Sequence, residues 1–457
     1  MAFKYNPPTR TFCKVCEELQ EVHRTPVIDT QKGKASSANN FPFHNWYNFV
    51  LGYSPQFPEY LIKKLNINSS HFVVDPFMGT GTTLVTCKQY GIPSSGLDAN
   101  DYFIDVAKTK LNWNLDTIEL EKYQSIIINA FISYSSGIDF ENGLESSPII
   151  FETTVKTKSY KDLLQGVRTK LLDPRYISDK PLLKLNILKE IIQELIPETN
   201  KEFFNLALSS IIVPVSNIRY GPGFGVAKAK DDVDVLKYFK QKTDKMIGDL
   251  KGLKQHNKTY SEVFHGDARQ LDKTYKPNSI DFMITSPPYP GDHEYTKHTK
   301  LELIFMGFAT SNEEFRTIKK RMVRGSTTNI YKEDKEREQI SDIISIQKVT
   351  NLIEERLKAD NATSGFEKLY TKLVWEYFGG MYNTFLTAKT VLKEHGKFSL
   401  LVSDSHAFKM THIKTAEILG EVAIKAGFRS VDIELWQNKI STSHKYNLHE
   451  CILTVTK

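Results

Sequence analysis

His71-Phe72-Val73-Val74-Asp75 runs directly into Pro76-Phe77-Met78-Gly79-Thr80-Gly81-Thr82-Thr83, and Leu84-Val85-Thr86-Cys87-Lys88-Gln89-Tyr90-Gly91 follows. The first five residues are a short β-branched run that suits a buried strand, and the last eight carry a helical pattern closed by Gly91. Between them, glycines let the backbone turn sharply and leave free N–H groups at a helix start, which favour an anionic group. A second short strand fits Ser94–Asp98, and the helical stretch DYFIDVAKTKLNW comes next. Strand, helix, strand, helix is the opening of a parallel, doubly wound α/β sheet.

The glycine turn is not a P-loop, because the lysine of G-x-x-x-x-G-K-S/T is absent. It is not a complete dinucleotide fingerprint either, since Leu84 stands where G-x-G-x-x-G has its third glycine. Alone it reads first as a tight strand–helix connection. Asp98, closing the next strand, adds a carboxylate that can take both hydroxyls of a ribose. The same residue precedes ANDYFIDVAK and also reads as a helix cap.

Outward from this unit the alternation is interrupted twice. Residues 115–261 show mainly helical periodicity around one glycine-rich loop, RYGPGFG, and residues 309–365 are highly charged, with KKRMVR at 319–324. The α/β rhythm resumes at EVFHGDA and SIDFMITSPPYP, and again after 366. There an amphipathic helix ending at KEHG precedes the buried strand GKFSLLVSD, a helix, and the closing strands SVDIELW and HECILTVTK, which suit an antiparallel pair. The expectation is one sheet domain made of 41–114, 262–308 and 366–457, with two largely helical insertions. Residues 1–40, polar and ending in KGKASSANN, read as an arm.

Composition bounds the alternatives. With 40% hydrophobic residues over 457 positions a real core is assured, so global disorder is excluded. Lysine and arginine number 60 against 54 acidic residues, and a net charge of +6 permits a polyanionic partner without demanding one. No apolar run approaches the roughly 18 residues of a membrane span, and MAFKYNPPTR has no apolar signal region. Four cysteines make no disulfide framework, so a reducing cytoplasm is expected. Cys13 and Cys16, near His23, start a C-x2-C without a second pair, and no metal site is expected.

Thr285-Ser286-Pro287-Pro288-Tyr289 follows an apolar strand. Two prolines cannot continue a sheet, and their nitrogens carry no proton, so the loop offers carbonyl acceptors with the Ser286 oxygen beside the ring of Tyr289. That set suits a planar group bearing an NH2. A proline-stiffened surface turn is the equal alternative.

With both loops present, the chain resembles the S-adenosylmethionine-dependent amino-methyltransferases of DNA, which make N4-methylcytosine or N6-methyladenine. DPFMGTGTT is similar to that family's cofactor loop (Asp75, Phe77, Gly79, Gly81, Thr82) and TSPPYP to its catalytic loop. FHNWYNFVLGYSPQFPEYLIKKL resembles the segment before the cofactor loop, with Ser54-Pro55 near the methionine carboxylate. GLDAN resembles the ribose-binding motif of Asp98, and HGDARQL the segment that reads the cofactor adenine through Asp267 and nearby backbone such as Ala268.

The resemblance implies a class I methyltransferase sheet with an antiparallel last strand. It also implies direct transfer of a methyl group to the exocyclic nitrogen of a base flipped out of double-stranded DNA. Ser286 and the Pro287 carbonyl would accept from the NH2, in a loop made rigid by Pro288, while Tyr289 stacks on the base. Ser at the loop's first position resembles the cytosine-N4 enzymes; adenine N6 is the alternative, and RNA, a protein glutamine or a non-catalytic nucleic-acid-binding subunit are further ones. A restriction-modification or related defence system follows by family analogy, with a monomeric enzyme and a separately encoded restriction endonuclease.

The 115–261 insertion is the candidate target-recognition region and 309–365 the candidate DNA-contacting region. Arg316, Lys319, Lys320, Arg321 and Arg324 read as phosphate contacts or as a solvated helix face. Arg219, Tyr220 and Phe224 read as a loop entering a groove or a plain connection. Asp404 and His406 follow a core strand, where a doubly wound sheet places ligands, though turns explain them too. His265 reads as a strand-end residue.

Overall fold

The computed structural model describes residues 41–136, 171–220, 224–253, 258–291, 294–360, 367–440 and 447–457, with Gly365 and a few positions between 138 and 169. The expected arm, with Cys13, Cys16 and His23, lies outside the described residues.

The main sheet is built from β1 (Val73–Asp75), β2 (Ser94–Asp98), β3 (Ser261–His265), β4 (Ile280–Thr285), β5 (Leu392–Ser403), β6 (Ser430–Ile440) and β7 (Asn447–Thr456). Their spatial order is β3-β2-β1-β4-β5-β7-β6. The pairs among β1 to β5 are parallel, and β7 runs antiparallel to both β5 and β6. This is the expected class I methyltransferase sheet with its antiparallel last strand. The chain order reverses between β1 and β4, so the carboxyl ends of these neighbours, Asp75 and Thr285, flank the crevice where an open α/β sheet binds its ligand.

Twelve helices among the described residues complete the molecule. They are α1 (Gln56–Lys64), α2 (Thr82–Gln89), α3 (Asp101–Leu111), α4 (Thr117–Ser136), α5 (Asp179–Leu195), α6 (Glu198–Val215), α7 (Val235–Lys251), α8 (Lys300–Met306), α9 (Asn312–Lys320), α10 (Ile344–Ala359), α11 (Leu369–Val391) and α12 (Thr415–Lys425). One apolar core joins α2 and α3 to α4–α9, so the helical insertion is continuous with the sheet domain. A second core packs α10–α12 onto β1, β2, β4, β5 and β7. Among the described residues no helix is long and apolar enough to cross a membrane.

The KEHG stretch, expected at the end of α11, belongs to β5 instead. Its pairing with β4 jumps from Ile280–Leu392 to Phe282–Lys397, and the extra residues form a bulge in which His395 has φ 63°. A buried lysine fixes the segment before α1. Lys110 Nζ donates to the carbonyls of His44 (3.0 Å) and Tyr47 (3.1 Å), and burial pushes its pKa down to about 7.

Candidate active site

The glycine turn has the backbone its residues demand. Gly79 and Gly81 have φ of 52° and 81°, in the left-handed region, and Gly81 is the N-cap of α2. A Cβ on Gly81 would stand 3.1 Å from the Cβ of Ala107 on α3, whereas one on Gly79 would meet no atom within 4 Å. Gly79 borders the cleft described below, so any side chain there would project into the ligand's space.

Asp98 closes this turn from below. Its Oδ2 accepts the Gly79 N–H (2.8 Å) and its Oδ1 the Asn100 N–H (2.8 Å). The cap of α3 is Asn100, whose side chain accepts from the Tyr102 N–H at 3.2 Å. Asp98 is therefore not the cap and lines the cleft. Burial pushes its carboxyl up to about 6, against the lowering effect of the two N–H donors.

Asp75 has a different task from the one expected. Its Oδ1 accepts from the Phe77 N–H (3.0 Å) and the Thr285 hydroxyl (2.5 Å), and its Oδ2 from the Tyr53 hydroxyl (2.8 Å). The carboxylate is fully buried and absent from the cleft lining. It ties the cofactor turn, the end of β4 and the segment before α1 together, and burial raises it to about 6.

Beyond Thr285, Ser286 and Pro288 face the cleft, while Pro287 and Tyr289 do not line it. Ser286 Oγ donates to the Leu401 carbonyl at 3.0 Å. With its proton committed to β5, the serine oxygen is left as an acceptor. The Tyr289 hydroxyl lies 3.2 Å from that oxygen. Gly325 braces the loop: its carbonyl accepts from the Gly291 N–H (3.0 Å), and a Cβ on it would stand 3.2 Å from the Tyr289 carbonyl.

The cleft itself runs from Gly52 and Tyr53 past Phe77, Gly79, Thr80 and Thr82 to Asp98, Ala99 and Ala268, with Ser286 and Pro288 also lining it. Phe49, Phe103 and Tyr295 add an aromatic side, Phe49 lying 5.0 Å from Phe103 and 6.0 Å from Tyr295 between ring centres. Arg321, Met322 and Val323 complete it. The spacing of Phe49 and Phe103 beside the recognisable segments was a usable signal. Met322 and Val323 arrive by long-range folding and had none, and Arg321 stood out only by its charge.

Several expected roles move. Ser54 is buried with its Oγ accepting the Gln56 N–H (3.3 Å), and Pro55 is the N-cap of α1; Gly52 and Tyr53 reach the cleft in their place. The Asp267 carboxylate is held by Arg269 through Nε (2.9 Å) and NH2 (2.6 Å), and only its neighbour Ala268 lines the cleft. Arg324 is buried, bidentate to Asp334 (3.1 and 3.0 Å) and bonded to the carbonyls of Lys319 and Lys320 at the end of α9. Lys319 pairs with buried Glu294 at 2.8 Å. Neither charge is presented to a phosphate.

Arg316 and Lys320 do stay exposed, both near Glu333 and against the ring of Tyr331. Arg321 borders the cleft and bonds His265 Nε2 at 2.8 Å. Tyr220 is docked inward, its hydroxyl donating to the His298 carbonyl at 2.8 Å, while Arg219 is exposed. Gly221–Gly223 and the Phe224 side chain lie outside the described residues. Asp404 pairs with His412 at 3.0 Å, and His406 stacks on that histidine; neither Asp404 nor His406 lines the cleft.

Residues 18–109 match the model of the N6/N4 methyltransferase family described as DNA methylase. The chain is 24% identical to the Type II methyltransferase M.MjaII of Methanocaldococcus jannaschii, over 55% of this chain and 60% of that protein. It is 26% identical to the Type II methyltransferase M.BsoBI of Geobacillus stearothermophilus, over 65% of this chain and 58% of that protein. The matches thus span about three-fifths of the length of these relatives. The glycine turn and Asp98 lie within the family match, and with this sheet order and these relatives the chain is similar to the N4/N6 DNA amino-methyltransferases, a family whose methyl donor is S-adenosylmethionine.

Proposed function

We propose that this chain methylates the exocyclic amino group of a base rotated out of double-stranded DNA, with cytosine N4 as its target. The observation that carries the reading is Ser286, fixed as an acceptor by Leu401 in the same cleft that Asp98 lines. S-adenosylmethionine, when bound, would supply an electrophilic methyl group to the amino nitrogen, leaving as S-adenosylhomocysteine while the nitrogen gives one proton to solvent. The cleft suits it chemically: Asp98 for a vicinal diol, Phe77, Ala99, Phe103 and Ala268 for a flat ring, and clear space over Gly79.

An aromatic NH2 is a poor nucleophile because its lone pair is delocalised into the ring. Hydrogen bonds to Ser286 Oγ and the Pro287 carbonyl draw the nitrogen towards tetrahedral geometry and localise that pair. Tyr289, bonded to Ser286, holds the base plane by stacking. The remaining acceleration comes from alignment and a site with little water. Leaving the duplex costs the base a few kcal/mol of stacking. The serine of SPPY favours cytosine, and the same acceptors take the N6 amino group of adenine. The Type II names of the relatives favour work beside a restriction endonuclease encoded separately.

The test is mass spectrometry of nucleosides from plasmid DNA incubated with the protein and methyl-labelled S-adenosylmethionine. Labelled N4-methylcytosine, abolished by Ser286→Ala with cofactor binding retained, is the expected result. Labelled N6-methyladenine would reassign the base, and no label in DNA despite cofactor binding would overturn the reading.

A further inference from the structure

Behind Phe49, which also lines the first cleft, a second cavity of about 340 Å³ lies between the 47–50 segment, α6, α7 and α8. Neither Ser286 nor Pro288 reaches it, so it is not the place of methyl transfer. Its floor is Glu302, only 2% exposed. Glu302 Oε1 accepts the Tyr47 hydroxyl at 2.8 Å, while Oε2 is buried without a hydrogen-bond partner. A buried acceptor left unmade is costly, and among the described residues nothing in the protein offsets it here.

The rest of the lining supplies the other halves of a ligand. Tyr220 stacks on His298 at 5.2 Å, which makes a flat aromatic wall. Lys242 and Lys245 stand at the cavity on α7. Lys242 Nζ donates to the Asn45 carbonyl (2.9 Å), and Lys245, nearly half exposed, has its nearest carboxylate, Asp249, at 3.9 Å. An acceptor at the floor, a stacking surface on one side and cations beside them describe a planar heterocycle with N–H donors joined to an anion.

We infer that this cavity is a second nucleotide site, which holds a base with an exocyclic amino group on Glu302 and its phosphate near Lys245. The nucleotide comes from the DNA strand, a source that rests on the proposed function. Thymine is disfavoured: its ring N–H lies between two carbonyl oxygens, which would face the carboxylate.

The test uses the whole protein saturated with S-adenosylhomocysteine, so that the first cleft is filled and methylation is not the readout. Deoxycytidine, deoxyadenosine, deoxyguanosine and thymidine monophosphates are titrated by calorimetry. At least one amino-bearing nucleotide should bind, thymidine monophosphate roughly tenfold more weakly or worse. Glu302→Gln should weaken the tighter ligand by roughly tenfold or more, and Lys245→Ala by roughly threefold. Both variants should retain S-adenosylhomocysteine binding, which reports on folding. The bound nucleotide should also compete with duplex DNA. No binding, or equal binding of thymidine monophosphate, overturns the site. Binding without competition against DNA overturns the strand as its source, whatever the methylation assay gives.

Discussion

The two insertions are joined to one sheet by different balances of force. The helical one, α5–α7, is held by apolar burial: Leu182, Leu183, Leu185 and Leu188 of α5 and Phe203, Phe204 and Leu208 of α6 are all buried in the core they share with α3. The charged one also buries apolar residues, Phe315 and Ile318 of α9 and Ile346 and Ile353 of α10, and adds directed ion pairs to them. Arg324 grips Asp334 with both side chains buried, and Arg269 links Asp267 to Glu336. Glu336 in turn lies against Gly379 and Gly380 of α11, where a Cβ would collide with it. Apolar burial is non-directional and fills volume, whereas paired charges fix positions. The difference fits what each places: the helical insertion makes walls, and the charged one brings Arg321–Val323 to the cleft beside the glycine turn and Gly325 against the SPPY loop.

Breaking the ion pair should therefore cost both stability and ligand affinity. Arg324→Ala leaves Asp334 buried and unpaired, and a loss of roughly 3–5 kcal/mol is expected in denaturant unfolding. Calorimetry on the folded variant should also show weaker S-adenosylhomocysteine binding, because the 321–325 backbone loses its anchor. Arg324→Lys should rescue little, since a lysine cannot make the bidentate grip. Leu183→Ala in the helical insertion should destabilise by about 2–5 kcal/mol through its cavity. There the affinity of the folded fraction should stay at the wild-type value. Equal effects on binding from both variants would erase the distinction between the insertions.

The same distinction explains what the sequence disclosed. Strands and turns of the sheet were readable because their determinants are local: β-branched runs, positive-φ glycines, prolines after β4. The positions of Asp98 and Ser286 at strand ends were readable for that reason. Asp75 was placed in the right loop but given the wrong partner, because its bonds to Tyr53 and Thr285 span 22 and 210 positions of sequence. KKRMVR was legible only in part, for a related reason. Charge density is visible in a sequence, but the buried acids that consume it, Glu294 and Asp334, are chosen by tertiary packing. Ser54-Pro55 erred by only two residues, since helix α1 begins there and turns the serine inward.

A pH series sharpens the comparison on the apolar side. Glu302 is buried where α8 meets the helical insertion, and burial pushes its carboxyl from 4.5 up to about 7. The folded chain then holds a proton that the unfolded chain releases, so this contribution is complete below pH 4.5 and is lost as pH rises through 7. At most roughly 3 kcal/mol is involved, from about 1.4 kcal/mol per pKa unit. Glu302→Gln should flatten that fall in stability between pH 4.5 and 7. An unchanged slope would show that the carboxyl is ionised in the fold.

The smallest effects belong to the surface of the charged insertion. Arg316 and Lys320 share Glu333 in solvent, so Arg316→Ala and Lys320→Ala should each change stability by less than about 0.5 kcal/mol. If these two exposed cations meet DNA phosphates, each variant should lower the slope of log affinity against log salt by about 0.9. Arg324→Ala, in contrast, should leave the slope per folded molecule unchanged, because its charge is neutralised by Asp334 inside the protein. Measured side by side, stability and salt slope separate the charges that build the insertion from those that face its ligand. A salt slope unaffected by either surface variant would move DNA contact away from α9 altogether.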